Sequence, residues 1–155
     1  MTLIGYIRKE IPEVSLRSSL IVGFPGETEK EFKELLSFIK EARFERLGIF
    51  RYSREEGTPA YGFKGQVSEK EKTRRFDEAM LLQQEISRGV NEGFKGRELK
   101  VLIDEDAKDH YVARTEYDAP EVDGTVYIKG KGLEVGQFYN VRIKDTYEYD
   151  LVGEI

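Results

Sequence analysis

The sequence predicts an α/β region followed by an all-β region. The first is expected to be a partial TIM-like (β/α) barrel with parallel strands, because a strand–helix–strand pattern with short connections spans residues 16–52. The second is expected to be a five-stranded antiparallel OB-like barrel, because short alternating apolar runs follow Gly96, separated by Gly-rich turns. Residues 92–96 mark the boundary, which predicts domains 1–93 and 94–155.

In the first region, helix and strand patterns alternate. The tail of an amphipathic helix is expected at Leu3, Ile4, Tyr6 and Ile7, whose side chains share one face, and Pro12 ends it. A buried strand is expected at residues 16–24, a helix at residues 28–43 and a second strand at residues 46–52. Connections this short predict a βαβ unit whose two strands are parallel neighbours.

Both long helices of this region begin at a capping-box pattern. Thr28 precedes Glu31 by three residues, and Ser68 precedes Glu71 in the same way, so each pair can satisfy two backbone N–H groups. The first helix carries an apolar stripe of Phe32, Leu35, Leu36 and Ile39. The second is expected to run to about Asn91, with a stripe of Phe76, Ala79, Met80, Ile86 and Val90.

Two parallel strands with helices on one side do not make a complete fold. Such a sheet leaves one face and both edges uncovered. We therefore expect the first region to be the last portion of a larger α/β barrel whose other strands come from elsewhere.

In the second region, apolar and polar residues alternate over residues 99–103, 126–128 and 141–143. Turn residues such as Asp123-Gly124 separate these runs. About 60 residues and five strands fit the size of an OB-like barrel.

Composition excludes several classes of site. The chain has no cysteine, so it supplies no thiolate to a zinc or iron–sulfur centre, and one histidine cannot anchor a metal alone. We assign it no catalytic residue and no metal ligand. No apolar run approaches the roughly 20 residues of a membrane span, and no secretory signal is recognisable, so we expect a cytoplasmic protein without a membrane partner.

The net charge of −5 is unevenly distributed. Residues 1–95 carry 17 Lys/Arg and 16 Asp/Glu, whereas residues 96–155 carry 8 Lys/Arg and 14 Asp/Glu, which gives +1 and −6. The acidic second region favours a basic partner and makes nucleic acid an unlikely one.

The candidate ligand-binding stretch is the turn at residues 21–28 (IVGFPGET). Pro25 presets φ and Gly26 accepts a positive φ, so a strand should end here and a helix begin. The carboxyl end of a strand that leads into a helix is where α/β proteins bind their ligands.

These residues resemble a known family. Residues 16–28 (LRSSLIVGFPGET), Phe32 and residues 50–60 (FRYSREEGTPA) are similar to the radical S-adenosylmethionine methylthiotransferases, and the acidic module after Gly96 resembles their C-terminal TRAM domain. Residues 114–124 (RTEYDAPEVDG) resemble the RimO branch, which modifies an aspartate of a basic small-subunit ribosomal protein, protein twelve.

The resemblance implies S-adenosylmethionine and 4Fe–4S clusters in the full-length enzyme, with a three-cysteine loop holding the catalytic cluster. Since this chain has no cysteine, it would be the C-terminal portion and would not cleave S-adenosylmethionine alone. The S-adenosylmethionine-binding residues implied for this chain are Arg17, Ser19, Val22, Gly23 and Phe24. Arg17 and Ser19 could meet the ligand's carboxylate, although a salt bridge at the barrel end explains Arg17 equally well.

The resemblance also implies a docking surface for the ribosomal protein. Its candidate residues are Tyr117, Asp118, Glu121 and Asp123, which lie in a long segment between strands. Acidic residues there would speed and orient association with a basic protein. The alternative is a solvated acidic loop.

Three alternatives remain open on sequence grounds. The chain could derive from a tRNA-modifying methylthiotransferase, or it could be a TRAM-type module that binds RNA or protein without chemistry. A truncated half-barrel could also pair with a second copy of itself.

Overall fold

A computed structural model of the chain describes residues 2–155, which form three α-helices and seven strands. One compact unit ends at Ile86 and the other comprises Ser87–Ile155. The helices are α1 (Thr2–Glu10), α2 (Glu29–Ala42) and α3 (Glu69–Glu92). The strands are β1 (Arg17–Val22), β2 (Arg46–Arg51), β3 (Glu98–Asp106), β4 (Tyr111–Thr115), β5 (Val126–Lys129), β6 (Phe138–Thr146) and β7 (Leu151–Glu154).

The first unit contains the predicted βαβ arrangement. Strands β1 and β2 pair in parallel, with Arg17 opposite Arg46 and Val22 opposite Arg51, and α2 connects them. Burial alternates along β1, so that Val22 is fully buried whereas Ser19 and Ile21 are exposed. A two-stranded sheet with one covered face is therefore the scaffold of this unit.

Helix α2 begins and ends as its sequence predicts. The Thr28 hydroxyl accepts a hydrogen bond from the Glu31 N–H at 3.2 Å, and the Glu31 carboxylate accepts one from the Thr28 N–H at 2.7 Å. Both halves of the capping box are thus present. The helix ends at Ala42 and is capped by Arg43, whose φ of 45° is left-handed and whose N–H bonds the Ile39 carbonyl.

Helix α3 departs from its prediction in two ways. The Ser68 hydroxyl accepts a hydrogen bond from the Glu71 N–H, but the Glu71 carboxylate accepts hydrogen bonds from Arg74 and Arg75. Its buried face is also far more polar than the apolar stripe suggested. Besides Ala79 and Ile86, the buried residues are Lys72, Arg75, Gln83, Ser87 and Asn91.

In the second unit, the five strands form a closed barrel in the order β3-β4-β5-β7-β6. The prediction of a purely antiparallel barrel is wrong at one junction, because β5 and β7 run parallel. The reason is geometric: strands can alternate direction all the way round a closed ring only if their number is even. One parallel pair is the minimum in a ring of five, and the barrel has that minimum.

The barrel interior is a single apolar cluster. The predicted alternation holds, since Val101, Ile103, Val126, Ile128, Val141 and Ile143 all lie inside it. The two nine-residue strands β3 and β6 each change register once, at Ile103/Glu105 and Ile143/Asp145. Such irregularities bend long strands enough to close a small barrel.

None of the helices formed by residues 2–155 is long and apolar enough to cross a membrane.

Candidate functional site

The turn after β1 lies at the carboxyl end of the two-stranded sheet. Gly23 and Gly26 have φ values of +75° and +88°, which disfavour any residue with a Cβ. The Tyr52 N–H bonds the Val22 carbonyl at 2.9 Å and extends the strand pairing beyond β2. The chain then reverses, with the Glu27 N–H bonded to the Phe24 carbonyl at 2.9 Å.

Glu27 organises this turn through its carboxylate. Both of its side-chain oxygens lie 3.1 Å from the Gly23 nitrogen and accept its N–H. The same carboxylate accepts a 2.5 Å hydrogen bond from Nη1 of Arg75 on α3, and Arg75 also donates to the Glu27 backbone carbonyl at 3.0 Å. Glu27 is therefore more than a charge at the start of a helix, because it joins the turn to a second helix.

Arg74 and Arg75 on α3 both pair with the Glu71 carboxylate but differ in exposure and in their other acidic partners. Arg75 has a side chain only 6% exposed, and it also donates to Glu71 at 2.9 Å. Arg74 is 43% exposed and pairs with Glu29, Glu71 and Glu78. Hydrogen bonds from Arg74 and Arg75 lower the pKa of Glu71 from 4.5 to about 2. Burial opposes the charge of Arg75, but its hydrogen bonds to Glu27 and Glu71 raise its pKa above the ordinary value.

The side of Gly23 where a Cβ would stand is already occupied. The Lys72 stem fills it, with Cγ lying 2.4 Å from an ideal Cβ position. Lys72 is 3% exposed, and its Nζ reaches out to Glu69 at 2.7 Å. The absence of a side chain at residue 23 thus accommodates Lys72, and any ligand would have to meet another side of the Gly23 backbone.

An aromatic cluster borders the turn. The Phe24 ring makes edge contacts with Tyr52 and Phe63, at centroid distances of 5.2 Å and 6.1 Å. Phe24 and Phe63 are 42% and 47% exposed, whereas Tyr52 is buried. The loop that carries Phe63 is also attached to the turn by a 2.8 Å hydrogen bond from the Gly26 N–H to the Gly65 carbonyl.

The structure separates the predicted S-adenosylmethionine-binding residues into two groups. Arg17 and Ser19 are exposed on the open face of the sheet, and Phe24 is 42% exposed in the turn that follows β1. Val22 and Gly23 are buried beneath them. The open face also carries two large apolar side chains, Ile21 and Phe50, which are 55% and 56% exposed.

The predicted docking residues lie in the loop between β4 and β5 of the barrel, and three of them contact other parts of the chain. The Tyr117 ring stacks on Phe94 at 5.6 Å. The Asp118 carboxylate accepts a hydrogen bond from the Thr115 hydroxyl at 2.6 Å, and the Asp123 carboxylate accepts one from the Ala119 N–H at 2.6 Å. Glu121 is exposed at the loop tip, with a φ of +61°.

The sequence analysis missed Lys72 and Arg75, which hold the turn from α3. Their spacing contained a signal, because residues 72, 75, 79, 83 and 86 recur at helical intervals and include the buried Ala79 and Ile86. Because the predicted stripe contained only apolar residues, it did not include Lys72 and Arg75, which lie on the same buried face of α3.

Comparisons with known proteins confirm the resemblance. Residues 96–155 match the family model for the TRAM domain. The whole chain is 49% identical to a protein of Natranaerobius thermophilus named ribosomal protein uS12 methylthiotransferase RimO, and covers 36% of it. The proteins of the same name from Clostridioides difficile and Thermoanaerobacter sp. are 47% and 49% identical over 98% and 94% of this chain, which covers 35% and 34% of them. The chain therefore spans about a third of the length of these relatives.

Proposed function

We propose that this chain, which is similar over its whole length to RimO-type uS12 methylthiotransferases, is the C-terminal part of such an enzyme. The whole enzyme would attach a methylthio group to an aspartate of the ribosomal protein named in those relatives. This chain would contribute one wall of the S-adenosylmethionine pocket and a substrate-docking barrel. We propose that the boundary between the α/β part and the TRAM domain lies at residues 93/94. Because the proposed substrate is a ribosomal protein, we assign the whole enzyme to the cytoplasm.

The observation that carries the proposal is the unfinished sheet. Ile21 and Phe50 lie opposite each other on neighbouring strands and are each more than half exposed. A parallel sheet normally buries both faces. We therefore expect the open face to be buried inside a barrel closed by further strands, or to be covered by a ligand. Relatives about three times as long contain enough additional chain to complete a TIM-like (β/α) barrel around it.

The open face suits S-adenosylmethionine chemically. In the completed barrel, Ile21 and Phe24 would offer apolar surface to an adenine ring, and Arg17 with Ser19 would offer donors to the ligand's carboxylate. Val22 and Gly23 would contact the ligand through their backbone atoms, since both residues are buried. These five proposed residues, Arg17, Ser19, Val22, Gly23 and Phe24, all lie on β1 or immediately after it.

The iron–sulfur clusters would be held outside this chain, which has no cysteine. The clusters would supply the electron that starts radical chemistry on S-adenosylmethionine. The role proposed for residues 17–24 is limited to binding and orienting that ligand and excluding water from one side of it.

The barrel would bind the target protein through the loop between β4 and β5. Glu121 is the exposed acidic group at the loop tip, whereas Asp118 and Asp123 hold the loop in shape. The net charge of −6 over residues 96–155 would attract a basic protein and repel nucleic acid.

The direct test uses the full-length enzyme, with its clusters reconstituted, and isolated uS12. We expect S-adenosylmethionine binding and a product whose target aspartate has gained one methylthio group, detected by mass spectrometry. Arg17→Ala should weaken S-adenosylmethionine binding, and Glu121→Lys should weaken uS12 binding while leaving S-adenosylmethionine binding intact. Failure of the wild-type enzyme to bind either molecule would refute the proposal.

A second candidate is RNA binding by the barrel. A groove of about 400 Å³ on its surface is lined by Lys100, Arg114 and Phe138, and also by the acidic Glu116 and Asp118. The Lys100 ammonium lies 4.7 Å from the Phe138 ring, which is 61% exposed, so a base could stack there. If tRNA were retained by the protein in a salt-dependent pulldown while uS12 was not, this candidate would replace the first.

A further inference from the structure

The turn after β1 is held by α3 as well as by its own residues. Arg75 donates three hydrogen bonds, two to Glu27 and one to Glu71, from a side chain that is 6% exposed. Glu27 is itself only 13% exposed. Removing either partner of an ion pair this buried is strongly destabilising, because it leaves a buried charge unpaired.

The bonds form a relay that ends at the strand. Arg75 fixes the Glu27 carboxylate, and this carboxylate accepts the N–H of Gly23 with both oxygens. The peptide plane between Val22 and Gly23 is therefore oriented by a guanidinium 48 residues further along the chain from Glu27. Phe24, whose side chain is 42% exposed, follows directly.

The neighbouring Arg74 provides a natural comparison. It pairs with Glu29, Glu71 and Glu78 rather than with Glu27, and its side chain is 43% exposed. The two adjacent arginines thus share Glu71 and, through a longer 3.9 Å contact of Arg75, also Glu29, whereas Arg75 rather than Arg74 contacts the carboxylate that holds Gly23.

We propose that Arg75 is a positioning residue for ligand binding, which sets the backbone of residues 22–24 through Glu27. This inference rests on the proposed function, because it takes that backbone to be one wall of an S-adenosylmethionine pocket. Arg75 does not touch the ligand, and its effect reaches the open face through the carboxylate of Glu27 and the amide of Gly23.

The first experiment tests the relay in this chain, without any ligand. Arg75→Met and Arg74→Met are compared by amide hydrogen exchange and by the NMR shift of the Gly23 N–H. We expect Arg75→Met to accelerate exchange at Gly23 at least tenfold more than Arg74→Met, although the latter removes the more extensive ion pairing. Equal exchange at Gly23 in the two variants would overturn the relay.

The second experiment tests the consequence in the full-length enzyme. Arg75→Met is expected to raise the KM for S-adenosylmethionine about tenfold and to leave kcat at saturating ligand within about twofold. Arg75→Lys should recover part of the loss, because a lysine can reach one carboxylate but cannot bridge two. Arg74→Met should leave the KM unchanged.

The outcomes separate the two ideas. If the wild-type enzyme does not bind S-adenosylmethionine, the proposed function fails. If the wild-type enzyme binds it and Arg75→Met binds equally well, the positioning role fails while the proposed function stands. A loss of kcat with no change in KM would also overturn the role, because it would show an effect other than ligand placement.

Discussion

Replacing Gly23 by alanine should destabilise the first unit by about 2–5 kcal/mol. A left-handed φ costs a residue with a Cβ roughly 1–2 kcal/mol, and Gly23 has a φ of +75°. The new methyl group would also stand 2.4 Å from the Lys72 Cγ, and forcing a buried side chain aside adds about 1–3 kcal/mol.

Gly26 provides the matched control. Its φ is +88°, but nothing lies within 4 Å of its ideal Cβ position. Gly26→Ala should therefore cost only the backbone contribution of about 1–2 kcal/mol. The difference between the two glycine variants isolates the contact with Lys72.

Urea unfolding, followed by circular dichroism at a helix wavelength, measures the free energy of unfolding of both variants. A double-mutant cycle with Lys72→Ala sharpens the test, because removing the stem should recover about 1–3 kcal/mol of the Gly23→Ala loss. If Gly23→Ala were equally costly in the presence and absence of the Lys72 side chain, the steric explanation would be refuted.

Three further predictions concern stability. Tyr52→Phe should stabilise the protein by up to about 1 kcal/mol, since the buried Tyr52 hydroxyl has no hydrogen-bond partner among the described residues, and a rise in Tm checks this. The pKa of Glu71 is lower in the folded state, at about 2, than its ordinary 4.5. The contribution of the ionised Glu71 to the free energy of unfolding is therefore complete above pH 4.5 and is lost as the pH falls towards 2. Glu71→Gln should flatten that part of the stability–pH curve, and an unchanged curve would contradict the assignment. In the barrel, Ile143→Ala should cost about 2–5 kcal/mol in urea unfolding, because Ile143 is fully buried in the apolar cluster, whereas the exposed Lys144→Ala should cost far less.

The helix boundaries of the first unit were accessible from sequence because their causes are local. Thr28 and Glu31 satisfy each other's backbone groups across three residues, and the apolar stripe of α2 follows from helical periodicity. Parallel pairing of β1 and β2 followed from the short connection through one helix.

In the barrel, the alternation of apolar and polar residues predicted which side chains face the interior but not the direction of each strand. Alternation correctly predicted which residues of β3, β5 and β6 face the interior, because burial on one side of a strand imposes a period of two. The same alternation carries no information about the direction of a neighbouring strand. The parallel pairing of β5 with β7 follows from closure of a five-stranded ring, which is a property of the whole sheet.

The candidate site divides in the same way. The sequence by itself determined that residues 21–28 make a strand, a turn with a left-handed glycine at residue 26 and a capped helix start, because each feature depends on residues a few positions apart. Only the tertiary structure decided that Arg75 and Lys72 are buried against this turn. A charged residue on a helix is ordinarily solvated, and it becomes a buried contact only when folding brings a distant carboxylate such as Glu27 to within hydrogen-bonding distance.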